Sequence, residues 1–286
     1  TFSAQDGSYT IDGLPSGTYV VTVVTNCCTY AAYTSDELAI DRAQSVELNI
    51  RLEEGFTLSV VGDDPGLKND ELRARQSIPD QAVPHMADGR PDLSGVWLPS
   101  DDPFPEPARA LPWAAEISRE RVANQLRDLP GMRCLPNSVP PFYAGASRMS
   151  KFVQTPDLLI VLFEESPGFR QVFLDGRDHP ESPNPGWVGH SIGRWEGDVL
   201  VVDTVGFNAR GWAFTYPRTE MLHIEERYER IDFGQMRVRV TIEDPGVFSE
   251  PLIRNMTWDL APQEEILEYV CENNKWADAV TEGGTD

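Results

Sequence analysis

The sequence predicts an all-β chain: a small β unit, a connector, then an antiparallel barrel or strongly curved meander with one short helix. Three observations carry this. From Gly186 to Asn208 the chain reads as two strands around a tight turn at Glu196-Gly197-Asp198, and the second strand, Val199 to Val205, is nearly all β-branched. After Lys151 come seven or eight strand-like segments joined by short connections such as Asp232-Phe233-Gly234-Gln235, which imply antiparallel neighbours. Near the start, turns at Asp6-Gly7 and Gly13-Leu14-Pro15 each lead into alternating polar and apolar residues.

The bounds agree with this class. A chain of 286 residues with 40% hydrophobic content is long enough for two domains and real cores. A net charge of -22, from 46 acidic and 24 basic residues, argues against nucleic acid and anionic membrane surfaces as partners. No apolar run approaches the roughly 20 residues that span a bilayer, so no membrane span is expected. No signal peptide is present, and the abrupt start reads as a processed product.

In chain order, the first unit runs from Thr1 to Val61. Gly17 to Val23 and Ser45 to Leu52 are expected strands. Cys27 and Cys28 are adjacent. They are a vicinal disulfide, one buried and one exposed thiol, or two unpaired thiols on opposite faces of a strand. Phe56 to Val61 is strand-like, and serves either as the last strand of the first domain or as a strand given to a neighbour. Residues 62–90 are polar, contain Pro79 and Pro84 and have no strong period, so they are expected to form a linker or arm. The second domain spans 91–286. Its expected helix is Ala114 to Leu129, with Ile117, Val122, Leu126 and Leu129 on one face and Pro130-Gly131 as the stop. Strands follow at Phe152–Thr155, Leu158–Phe163, Phe169–Leu174, the central hairpin, Leu222–Ile231, Met236–Ile242, Leu252–Leu260 and Glu268–Cys271. No pair of cysteines has zinc-ligand spacing. Cys134 and Cys271 lie far apart in β-rich contexts and are expected to form a disulfide, which places the chain in an oxidising compartment.

Two resemblances add to this. The run D-G-S-Y-T-I-x-G-L-P-x-G-T-Y-V-V-T-V from Asp6 to Val23 resembles the carboxypeptidase regulatory-like domain, a small immunoglobulin-like sandwich of secreted bacterial proteins. That family opens with one or two strands before this turn, whereas here only Thr1 to Gln5 precede it. The resemblance therefore implies one of two things: the first strands lie outside this sequence, or the sandwich is truncated with an open edge, a template for another chain's strand. In the second part, P-D-L-S-G-V-W, R-C-L-P, V-Q-T-P, D-G-R-x-H-P, G-H-S-I-G-R-W-E-G-D-x-L-V-V-D-T-V-G-F-N, E-R-Y-x-R and E-Y-V-C-E-N-N occur in order from Asp88 to about Lys275. Together they resemble a large family of secreted bacterial proteins with no defined activity. The G-x-W of Gly95-Val96-Trp97 is similar to the opening strand of lipocalin-type barrels.

The polar residues that chemistry would use are Asp175, Arg177, Asp178, His179, His190, Ser191, Arg194, Glu196, Asp203 and His223. A hydrolytic or lyase site would take His190 or His179 as general base, with a nearby carboxylate orienting it and Arg194 stabilising an anion, and would need a pocket where His190, Arg194 and Asp178 converge. His179, His190 and Asp178 are the residue types of a metal site, but their spacing is not diagnostic, and neither a metal nor a cofactor is expected. His190-Ser191 lacks the G-x-S-x-G of a nucleophile elbow. The family pattern often has a histidine where Arg218 stands, which weakens the catalytic reading. Against it also stand plain structural roles: Asp175-Gly176-Arg177 as a turn, and Arg194 and Glu196 as a same-face ion pair. Asn255-Met256-Thr257 is a glycosylation sequon if Asn255 points outward.

The function expected from the sequence is an extracellular structural subunit. Copies of the chain join by β-strand complementation into a fibril. The alternatives are a secreted hydrolase or lyase acting on a small glycan-like substrate, and a barrel that binds an apolar ligand.

Overall fold

A computed structural model describes residues 7–23, 33–42, 44–52, 72–99, 108–124, 128, 130, 134–136, 149–163 and 168–266. The chain divides into two compact units, Thr1–Val60 and Val61–Asp286.

In the first unit, β1 (Gly17–Tyr19) pairs antiparallel with β4 (Leu38–Ile40), and β2 (Thr22–Val23) with β3 (Tyr33–Thr34). The two ladders are one hairpin with a bulge. Tyr19 faces Leu38 and Thr22 faces Thr34, so Val20 and Val21 lie opposite three residues. Ser35 fills the irregularity: its N–H donates to Val21 O at 2.9 Å, and its Oγ accepts from Val21 N–H at 2.9 Å. Residues 45–52, expected to be a strand, have no ladder partner among the described residues. Their period-two pattern survives only as alternating exposure at Leu48, Ile50 and Leu52. Tyr9 Oη donates to Leu48 O at 2.7 Å and ties the two non-strand segments together. Cys27, Cys28 and Phe56 to Val61 lie outside the described residues.

The second unit is built on a closed barrel of nine strands. They are β5 (Gly95–Pro99), β6 (Ser150–Gln154), β7 (Leu158–Phe163), β8 (Phe169–Phe173), β9 (His190–Glu196), β10 (Val199–Val205), β13 (His223–Arg230), β14 (Gln235–Glu243) and β15 (Leu252–Leu260). A two-stranded ladder of β11 (Trp212–Ala213) and β12 (Tyr216–Pro217) stands apart from the ring. Neighbours pair antiparallel except at one seam, where β8 runs parallel to β9. Short turns join β6 to β7, β9 to β10 and β13 to β14; Gly197 supplies φ 61° in the β9–β10 turn, as its position in Glu196-Gly197-Asp198 predicts. A parallel seam needs a crossover. Residues 174–189 make it, and their far end is pinned beside the β10 exit by Gly186 N–H to Gly206 O at 2.8 Å and Asn208 N–H to Gly186 O at 2.8 Å.

Alternation along the strands sets what lies inside. In β13, Ile224, Glu226, Tyr228 and Arg230 are buried, while His223, Glu225, Arg227 and Glu229 are half-exposed. The interior is filled rather than hollow. Phe152, Tyr228 and Trp258 meet edge-to-face, with centroids 5.6, 5.8 and 6.2 Å apart. Beside them is a fully buried ion pair. Arg170 of β8 donates to both oxygens of Glu226, and also to Ser191 Oγ at 2.9 Å and Thr204 Oγ1 at 2.6 Å. Tyr228 Oη donates to the same carboxylate. These side chains are 2% and 0% exposed, so each charge depends on the other's presence.

Two expectations are revised here. The helix, α1, is Pro112–Ala123, and its buried residues are Ala114 and Ser118, while Val122 is exposed. Small residues let it lie close: Ser118 Oγ is 2.6 Å from Thr215 Oγ1, and the Arg121 guanidinium sits 3.7 Å over the Trp212 ring. The second concerns the connector, whose described part belongs to the second unit. Leu72 is buried with Val96, Leu98, Met149 and Ala261, and Arg73 Nε donates to Asp259 at 3.1 Å. Covered from that side, β5 is buried on both faces at Val96 to Pro99.

Glu226→Ala is expected to destabilise the barrel by about 3–5 kcal/mol, because it strands the Arg170 charge in the interior. The double variant Arg170→Met/Glu226→Leu is expected to recover most of this. Denaturant unfolding read by tryptophan fluorescence checks it, since all 7 tryptophans lie beyond residue 60; equal losses in the single and double variants would refute the pairing argument.

Candidate functional site

The crossover passes across the outer face of β9, β10 and β13. Its close approach is visible at Gly189, which has φ 69° and where a Cβ would fall 2.7 Å from Val205 O. On this face the outward residues of four strands meet one residue from the crossover. His190 opens β9, Asp203 lies near the end of β10, His223 opens β13 and Glu243 ends β14. His179 comes from the crossover.

These five side chains form one hydrogen-bonded row. His190 Nδ1 and His179 Nδ1 are 2.8 Å apart. His179 Nε2 is 2.8 Å from Asp203 Oδ1, and Asp203 Oδ2 is 2.8 Å from His223 Nε2. His223 Nδ1 is 3.0 Å from Glu243 Oε2. A carboxylate only accepts, so each imidazole nitrogen facing one carries a proton. His223 thus donates at both nitrogens and is an imidazolium. Hydrogen bonding to Asp203, then to Glu243, outweighs its partial burial and lifts its pKa from 6.5 to about 9. Asp203 is held below the usual carboxylate range, first by His223 and then by His179, against the opposing effect of burial.

The network also assigns the other two tautomers. In the tautomer that donates Nε2–H to Asp203, His179 accepts at Nδ1. His190 must then donate through Nδ1, which leaves its Nε2 as a bare lone pair. That nitrogen has no partner among the described residues and is not sealed from solvent. Burial, then His179 and Arg177, push the His190 pKa down, which keeps it neutral. Its ring stacks on Phe173 at 5.4 Å, and the Arg177 guanidinium covers that phenylalanine at 4.0 Å. The row therefore ends in an oriented base backed by a second histidine and a carboxylate.

Of the residues expected in a site, His179, His190, Asp203 and His223 are brought together. Asp178 is exposed and takes no hydrogen bond among the described residues. Arg194 points outward to Glu196 at 3.0 Å and to Glu225 at 3.9 Å, the ordinary ion-pair role. Arg177 is bound to Asp175 across the Gly176 turn. Ser191 faces the lumen beside Arg170, on the opposite side of the strand from His190. Arg218 is a buried clamp: it donates to Asn208 O at 2.7 Å and Trp187 O at 3.1 Å, and burial lowers its pKa to about 10. Cys134 is disulfide-bonded, while Cys271 lies outside the described residues. Asn255 lies on the exposed side of β15, the orientation a glycosylated asparagine needs. Glu243 was not anticipated; the available signal was its place at the end of an alternating strand. Among the described residues no three His, Cys, Asp or Glu side chains, those of the row included, are arranged so that they could hold a metal ion. No described helix is long and apolar enough to cross a membrane.

No family model matches the chain, and no curated protein matches it.

The row makes stability depend on pH with a definite sign. His223 has a raised folded pKa, so its contribution is complete below about pH 6.5 and is lost as pH rises through about 9. The side chain is 34% exposed, and after discounting for solvent screening the loss is about 1–2 kcal/mol. His223→Gln is expected to abolish this part of the decline between pH 6 and 10, measured by urea unfolding at each pH; an unchanged profile would contradict the assignment.

Proposed function

We propose that the chain is a secreted subunit that assembles with copies of itself, through β-strand addition at the first unit, into an extracellular fibril. The observation that carries this is that no apolar side chain is buried among the described residues there. Among the described residues of 7–52, the one buried residue is Ser35. Ile11, Leu14, Val20 and Val46 are exposed, Val20 by 53%. The two-stranded hairpin keeps both outer edges unpaired among the described residues. Such a hairpin is marginal in water without a third strand or a covering layer. Exposed edges with apolar side chains are what an added strand pairs with and covers. Resemblance of this unit to an immunoglobulin-like domain, a fold whose edge strands can take an added strand, supports the same reading. The disulfide at Cys134 supports an oxidising compartment, and the charge of -22 supports a well-solvated exterior.

The other expected roles fare differently. A lumen filled by Trp97, Phe152, Tyr228, Trp258 and the Arg170–Glu226 pair has no place for an apolar ligand. An enzymatic role draws support from the bare nitrogen of His190.

The purified chain is expected to show concentration-dependent sedimentation and filaments by negative stain. Val20→Lys combined with Val46→Lys is expected to leave it monomeric with an unchanged barrel spectrum. A wild-type chain that stays a monodisperse monomer at high concentration would refute assembly.

A further inference from the structure

The assembly surface makes no use of the His190 row, whose geometry meets the requirements of a catalytic base. A general base needs a lone pair that reaches solvent, a fixed tautomer and a place for the proton's charge. His190 Nε2 supplies the first. The second follows from Nδ1, which is committed to His179 at 2.8 Å. The third is the relay behind it: His179 Nδ1 can take the Nδ1 proton of His190, and the imidazolium so formed sits 2.8 Å from Asp203. Asp203 stays ionised because His223 holds its other oxygen at 2.8 Å. Phe173 fixes the ring plane of His190 and walls one side of it.

We propose that this outer wall of the barrel is a general-base hydrolytic site, with His190 Nε2 activating water against an uncharged ester of an acidic alcohol. The surrounding charges select the substrate class. Among the described residues the two arginines nearest His190 in sequence are already paired, Arg177 with Asp175 and Arg194 with Glu196, so neither is free to hold an anion. The net charge of -22 repels anions as well. Ser191 faces the lumen, so no serine nucleophile stands beside the base. Without a covalent step, an ester with a good leaving group is within reach and an amide is not.

The step balances without a co-reactant other than water. Nε2 of His190 takes one proton of water as the oxygen bonds to the carbonyl carbon. The carbon–oxygen bond to the alcohol then breaks, and the proton on His190 passes to the departing oxygen. Acid and alcohol are released and His190 returns to its neutral form. His190 is the catalytic residue; His179 and Asp203 are positioning residues.

The test is hydrolysis of p-nitrophenyl acetate by the full chain, followed against pH. Wild type is expected to exceed His190→Gln by at least about tenfold, with activity lost on the acid side as His190 protonates below its ordinary pH 6.5. His179→Gln is expected to lower kcat at unchanged KM, the pattern of a residue that acts through the base and not through substrate binding or folding. Arg194→Gln is expected to match wild type. Equal rates in wild type and His190→Gln would overturn the proposal. A second measurement needs no variant: carbethoxylation by diethylpyrocarbonate, mapped by peptide mass. His190, with a neutral and open nitrogen, is expected to react ahead of His179 and His223, which use both of theirs. If His190 reacts no faster than those two, the proposal fails.

Discussion

Closure of the barrel is the constraint on which the other features depend. Nine strands meet in a ring only because β8 and β9 run in the same direction at the last seam. Parallel neighbours cannot be joined by a hairpin, so residues 174–189 must travel back along the outside. That return path carries His179 onto Asp203 and His190. A ring built entirely of hairpins would leave the outward histidines of β9 and β13 without the residue that links them. Closure also consumes the strand edges of the ring, so open edges remain on the first unit's hairpin.

The same alternation of side chains divides the chemistry into two compartments. His190 and Ser191 are neighbours in sequence, yet one opens to solvent and the other accepts a hydrogen bond from Arg170 in the buried polar cluster. Asp203 and Thr204 are divided in the same way. Inside, the Arg170–Glu226 pair is shut away from water and serves the packing of the lumen. Outside, the row from His190 to Glu243 is half-exposed and can exchange protons with solvent. A single residue step, half the strand period, therefore separates a structural polar cluster from a reactive one.

Much of this was legible in the residues. The β9–β10 hairpin, the Gly197 turn and the bounds of β15 follow from alternation and turn chemistry. Strand direction does not, because a period of two is the same for parallel and antiparallel neighbours, and so the seam and its crossover were invisible. The buried ion pair was hidden for a related reason. Glu225 and Glu226 are adjacent, and composition alone does not say which of two glutamates faces in. The candidate site was half legible. His179, His190, Asp203 and His223 stood out as residue types, but Asp178 and Arg194 were chosen as partners from proximity in sequence, whereas the fold chose Asp203 from another strand. In the first unit, Ser45 to Leu52 has the pattern of a strand but no described partner to make it one.

The proposed self-assembly through the first unit, whose described residues bury no apolar side chain, is tested most directly by hydrogen exchange at low and high protein concentration. If a second copy completes that unit, amides of 17–23 and 33–40 exchange quickly in dilute solution and become protected on concentration, while the barrel strands stay protected throughout. Full protection of those amides at the lowest concentration, unchanged on assembly, would mean that the hairpin is complete within one chain.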